Sequence, residues 1–106
     1  MNIPSDENTQ YRPLPNSLTI QKSSIHGLGL FATKPIPQGT NLGESHFKMS
    51  LSDKHYIRTP LGGFINHSDR PNCTKRGEGT CIMSIKTVRP ISQGEELTIL
   101  YTLYTI

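Results

Sequence analysis

Cys81-Ile82-Met83-Ser84-Ile85-Lys86-Thr87-Val88-Arg89-Pro90-Ile91-Ser92-Gln93-Gly94-Glu95-Glu96-Leu97 is the stretch in which local chemistry speaks most directly about fold. Its first half alternates Cys81, Met83 and Ile85 with Ser84 and Lys86 and runs on to Val88, the period of two expected of a strand with one buried face. Its second half leaves that strand through a proline turn and enters another apolar run after Gly94. An echo lies upstream. Lys34-Pro35-Ile36-Pro37-Gln38-Gly39-Thr40-Asn41-Leu42 repeats the order basic residue, proline, isoleucine, proline or serine, glutamine, glycine, two variable positions and leucine. Two readings stand open: one favourable turn reached twice, or a duplicated strand-turn-strand unit. Both give a β fold.

The flanking sequence agrees. Short apolar runs bounded by turn residues recur from Ser17 onward as LTIQ, GLGLFAT, NLGES, GGFIN and ELTILY. Only Ser50 to Arg58 has room for a helix, two turns at most, with Ser50 or Ser52 as its cap and Pro60 as its stop. Nine glycines and eight prolines in 106 residues favour many short elements joined by tight turns. Residues 1–16 are polar, contain Pro4, Pro13 and Pro15 and carry no period, so a flexible arm is expected ahead of one domain spanning 17–106.

Composition removes several classes of function. A net charge of +3 indicates neither a disordered polyelectrolyte nor a dedicated polyanion binder. The chain has no clustered arginines with interleaved aromatics, so direct nucleic-acid binding is not expected. No apolar run reaches the roughly 18 residues of a membrane span, and MNIPSDENTQ has neither a basic nor an apolar leader region. Cys73 and Cys81 cannot build a disulfide framework and lack the paired spacing of a structural zinc site. A soluble intracellular protein is expected, cytoplasmic, or nuclear in a eukaryotic cell.

Three motifs could carry chemistry. In Ser24-Ile25-His26-Gly27-Leu28-Gly29-Leu30-Phe31-Ala32, two glycines one residue apart let the backbone approach a ligand closely, although a bulge or tight turn has the same signature. Gly62-Gly63-Phe64-Ile65-Asn66-His67-Ser68-Asp69-Arg70-Pro71-Asn72-Cys73 runs from an apolar strand end into a loop dense in hydrogen-bonding groups, suited to a heterocycle bound edge-on or simply to closing its own turns. Gly94-Glu95-Glu96-Leu97-Thr98-Ile99-Leu100-Tyr101 ends on a tyrosine, with Tyr104 three residues on.

Taken in order, HGLGLFA, GGFINHSDRPNC and GEELTILY resemble the SET-domain protein lysine methyltransferases, whose signature is a glycine-x-glycine turn, an NHS-x-x-PN loop and an ELT-x-x-Y strand. The resemblance spans Ser23 to Tyr101. It implies a mostly β fold with little helix, a β-clip of small sheets in which the NHS loop and the C-terminal segment thread past one another as a pseudoknot. It implies S-adenosylmethionine as methyl donor, leaving S-adenosylhomocysteine, and a protein or peptide substrate whose lysine enters a channel from the opposite face. His26, Gly27, Leu28 and Gly29 would then meet the methionine part of the cofactor, Asn66 and His67 the adenosine part, and Tyr101 would be the catalytic tyrosine and a cofactor neighbour. Ile99 and Tyr104 would line the substrate channel.

Departures from the family pattern are informative. Many members close the channel with a cysteine-rich zinc segment, whereas only TLYTI follows Tyr101 here, and Asp69 stands where a zinc-binding cysteine often follows NHS. A form without metal is expected, with Cys73 and Cys81 as ordinary cysteines. Gly63 replaces an arginine that often precedes FINH. The insert at roughly Ser45 to Leu61 is short, so the tail, a second subunit in a homodimer, or the substrate itself would complete the channel wall. The competing function is a non-catalytic SET-like module that binds a peptide or cofactor without transferring a methyl group.

Overall fold

The computed structural model describes residues 14–77 and 80–100. Eight strands and one short helix follow one another as β1 (Leu18–Lys22), β2 (Leu28–Ala32), β3 (Asn41–Phe47), β4 (Ile57–Arg58), α1 (Pro60–Phe64), β5 (Asn66–His67), β6 (Cys73–Arg76), β7 (Ile82–Thr87) and β8 (Glu96–Ile99). They form two four-stranded sheets, in the orders β1-β2-β8-β5 and β4-β3-β7-β6. All pairings are antiparallel except β5 with β8. Mostly β structure in small sheets with little helix is therefore what the sequence predicts. The pseudoknot threading involves residues beyond Leu100 and falls outside the described residues.

The repeated sequence has a spatial meaning. Ile36 and Ile91 each donate a backbone hydrogen bond to the other's carbonyl, at 2.9 and 2.8 Å, so the two proline turns pair with each other. Gly39 and Gly94 occupy matching positions with φ of 83° and 86°, a region that favours glycine. Their N–H groups reach across, Gly39 to the Thr87 carbonyl and Gly94 to the Ala32 carbonyl. The first strand of each unit pairs with the second strand of the other: Phe31 stands opposite Glu96 in β2 and β8, and Asn41 opposite Lys86 in β3 and β7. Two interlocked strand-turn-strand units result, rather than two independent hairpins.

Ile36 and Ile91, 3% and 2% exposed, sit in one core cluster with Leu18, Leu30, Leu42, Leu61, Ile65, Ile85, Leu97 and Ile99, and Leu14 packs against its edge. Along β7, Met83, Ile85 and Thr87 are buried while their neighbours are not, the alternation expected there.

The helix is displaced from its expected place. Residues 50–58 hold turns and the short strand β4, with the Asp53 carboxylate accepting from the N–H groups of Met49 and Ser50. Pro60 begins a helix instead of stopping one. Thr59 is its N-cap and accepts from the Gly62 N–H, and a proline in the first turn loses no hydrogen bond because that N–H would have no intrahelical partner. Gly62 and Gly63 consequently lie in α1, not in an apolar strand. A Cβ on Gly62 would run into the Ser45 carbonyl, so the helix can approach β3 only through a glycine, whereas a Cβ on Gly63 would meet nothing within 4 Å.

That contrast is directly measurable. Gly62→Ala should lower unfolding stability by about 1–3 kcal/mol in urea titrations, as overpacking does. Gly63→Ala should leave it unchanged or raise it by up to about 1 kcal/mol, because alanine favours the helix.

Candidate functional site

Strand β8 lies between β2 and β5, and this brings the three motifs to one place. Leu97 stands opposite Leu30 of β2, while Thr98 and Ile99 pair in parallel with Asn66 and His67 of β5. The Asn66 side-chain amide donates toward the carbonyls of His26 and Leu28, at 3.1 and 3.2 Å, and to the Glu96 carboxylate at 2.9 Å. It thereby grips the turn on both sides of Gly27. Gly27 itself has φ of 48°, which turns the chain back so that its carbonyl accepts from the Ser23 N–H at 2.8 Å. The Ser23 hydroxyl donates to the Glu96 carboxylate and accepts from the N–H groups of Ile25 and His26. Gly29 is buried beneath this knot, and a Cβ there would collide with the Glu96 carboxylate.

The NHS loop is secured separately. The Ser68 N–H donates to the Ile99 carbonyl, continuing the β5 to β8 pairing, and the Ser68 hydroxyl accepts from the Arg70 N–H. Asn72, 2% exposed, donates to the Glu96 carbonyl at 2.9 Å and accepts from the Thr98 N–H at 2.8 Å. Its side chain thereby bonds to the β8 backbone as a neighbouring strand would. His67 lies 3.2 Å from the exposed Asp69 carboxylate.

Electrostatics distinguish three groups. Burial pushes the Cys73 thiol up to about 12, so it is an unreactive core thiol. Partial burial works against the Glu95 carboxylate, but the Ser92 N–H, Arg89 at 2.7 Å and Asn72 outweigh it and hold its pKa below the usual value. Burial, reinforced by Lys75 and Arg58, pushes His46 down to about 4, and its ring lies 2.8 Å from the Ser45 hydroxyl and edge-on to Tyr56.

Of the residues expected at the site, His26, Gly27, Leu28, Gly29, Asn66 and His67 converge along one end of the first sheet. His26, Gly27 and Leu28 are exposed, and a Cβ on Gly27 would meet nothing within 4 Å, so open space lies over the turn. Ile99 is 2% exposed and belongs to the core cluster. Tyr101 and Tyr104 lie outside the described residues. Ser23, Asn72 and Glu96 tie the three motifs together without a sequence signal of their own: a serine before a glycine turn and an asparagine after a proline signal only local turns, and their long-range partners emerge in space. Among the described residues no three His, Cys, Asp or Glu side chains cluster as a metal site requires, and no helix is long and apolar enough to cross a membrane.

Comparison with known proteins places this geometry. A model of the SET domain matches residues 46–102. The sequence matches no curated protein. A Plasmodium falciparum protein described as a histone methyltransferase superposes with a TM-score of 0.67 at 19% identity, over 84% of this chain and 96% of that one. The methyltransferase domain of human PR domain-containing protein 2 is similar, with a TM-score of 0.66 at 19% identity over 84% and 79% of the two chains. A humanized mutant of Chaetomium thermophilum Polycomb Repressive Complex 2 gives 0.65 at 19% identity, over 80% of this chain and 15% of that much longer one.

The depressed His46 pKa fixes a pH window. The folded chain resists protonation down to about 4 while the unfolded chain takes up the proton near 6.5, so this contribution to stability is complete above about 6.5 and is lost as pH falls toward about 4. Urea midpoints for the wild type should decline across that interval, and His46→Gln should flatten the decline. An unchanged slope in the variant would assign it to other groups.

Proposed function

The chain belongs to the SET-domain family, and from that premise we propose that it is a protein-lysine N-methyltransferase, transferring methyl groups from S-adenosylmethionine to a lysine side-chain amine, with 17–106 as its SET domain. The observation that carries this reading is the convergence of the Gly27 turn, the Asn66–His67 pair and the strand leading to Tyr101 on one sheet.

When bound, S-adenosylmethionine supplies a methyl carbon on a positively charged sulfur. The target amine must be neutral to use its lone pair, and a lysine with pKa near 10.4 is neutral only about one part in a thousand at pH 7.4, which costs roughly 4 kcal/mol. An apolar channel and a nearby positive charge both disfavour the ammonium form and reduce that cost. With the donor bound, the amine lone pair would form the new bond to the methyl carbon while the sulfur keeps the electron pair of the breaking carbon–sulfur bond, and the excess proton would pass to water. No residue is proposed as general base, and His67 is assigned to the cofactor. Positioning would therefore carry most of the rate: the Gly27 turn and Asn66–His67 would hold the donor, and the Tyr101 hydroxyl, with backbone carbonyls, would align the methyl group. The short wall segment exposes Met49 and Leu51 at 81% and 66%, apolar surface that a substrate or a second copy would cover.

Calorimetry with S-adenosylmethionine, followed by transfer of labelled methyl groups to a peptide array, tests the assignment. Transfer supports the enzyme, and binding without transfer supports a recognition module. Tyr101→Phe should keep cofactor affinity within a few-fold while transfer falls at least about a hundredfold. Apolar Ile99, where the family often has an aromatic residue, offers no hydrogen bond to hold a water against a methylated amine. Mass spectra should then show products beyond one methyl group, and a single 14-dalton increment at long times would contradict this.

A further inference from the structure

We infer that Glu96, acting through Ser23 and Asn66, is a positioning residue for the cofactor site: one carboxylate ties the turn carrying Gly27 and Gly29 to the strand carrying Asn66 and His67. The inference rests on the proposed function and deepens it. The Glu96 carboxylate accepts from the Ser23 hydroxyl at 2.8 and 2.9 Å and from the Asn66 amide at 2.9 Å. Among the described residues it forms no ion pair with a lysine or arginine. Its hydrogen-bonding capacity goes to two neutral donors from segments 43 positions apart in sequence (23 to 66).

Both donors pass the constraint on. With its proton committed to Glu96, the Ser23 hydroxyl turns its lone pairs to the N–H groups of Ile25 and His26, at 2.9 and 3.4 Å. The Asn66 amide, oriented by the same carboxylate, reaches the carbonyls of His26 and Leu28. The turn is thus held by its N–H groups on one side and its carbonyls on the other. Packing offers little alternative support, because residues Ser24 to Leu28 are all exposed. Gly29 is required for the arrangement, since any side chain there would displace the carboxylate. Holding a binding turn in its bound shape lowers the ordering cost of ligand capture, so loss of the knot should act on affinity rather than on the chemical step.

Chemistry also predicts the ranking of variants. A carboxylate accepts from both partners at once. A glutamine with its oxygen in the Oε2 place still accepts from Asn66 and Ser23 there, but its amide group takes the Oε1 place and sets a donor against a Ser23 hydroxyl that already accepts two N–H groups. Alanine satisfies neither.

The full chain carrying E96A, E96Q or S23A is titrated calorimetrically with S-adenosylmethionine, and amide exchange is followed without ligand. Expected results are a Kd raised at least about tenfold in E96A and about three- to tenfold in E96Q and S23A, with the loss of transfer expressed in the KM for cofactor rather than in kcat. Amides of residues 23–29 should exchange faster while those of β3 and β7 keep their protection. Unchanged affinity in E96A and S23A, or an equal loss of protection in both sheets, would overturn the role. If E96A fails to fold, S23A decides by the same two readings. A wild-type chain that binds no S-adenosylmethionine removes the proposed function and this role together, whereas wild-type binding matched by E96A and S23A removes the role alone.

Discussion

The pair of backbone hydrogen bonds exchanged by Ile36 and Ile91 joins the two proline turns back to back, and the partnership of the central strands follows from that join. Once the turns are paired, the strand entering each turn lies beside the strand leaving the other, so β2 meets β8 and β3 meets β7. The two isoleucine side chains are buried, which makes the join apolar as well as hydrogen-bonded and resistant to competition from water. With only 33% hydrophobic residues to bury, the chain uses one shared cluster under both sheets instead of a separate core for each hairpin.

The placement of β8 at the centre of the first sheet has a functional consequence. Its two neighbours are the strand after the Gly27 turn and the strand of Asn66–His67, so its backbone fixes the distance between two segments that share no direct strand pairing. Side chains then complete what the ladder leaves open. Asn72 supplies a donor to Glu96 and an acceptor to Thr98 of β8, and Asn66 crosses β8 to reach the turn beyond it. Two asparagines of one loop are therefore structural ties, and the expected ligand contacts of Asn66 fall to its backbone and remaining lone pairs, since its amide hydrogens are engaged.

Glycine serves three distinct physical purposes around this frame. Gly39 and Gly94 supply a backbone conformation, Gly29 supplies space for a carboxylate, and Gly62 supplies a close approach of helix to strand. Substitution at each would fail for a different reason, which a glycine count cannot reveal. His46, beside the Gly62 contact, adds an electrostatic element: a neutral imidazole kept neutral by burial and by the cations Lys75 and Arg58.

Period-two alternation in 81–88 determined β7 and its buried face, because pleating alone sends successive side chains to opposite sides. The ordered motifs HGLGLFA, NHSDRPN and GEELTILY determined the family, because each constrains several residue types at fixed spacing. The sequence left open whether the echoed turns were related, and it misplaced the helix, since Thr59 and Pro60 read equally well as an end or a beginning until Gly62 is seen against β3. Only the tertiary structure decided that the two turns pair, that Glu96 joins Ser23 to Asn66, and that Asn66 faces the turn, because each is a contact between residues tens of positions apart whose geometry no local propensity encodes.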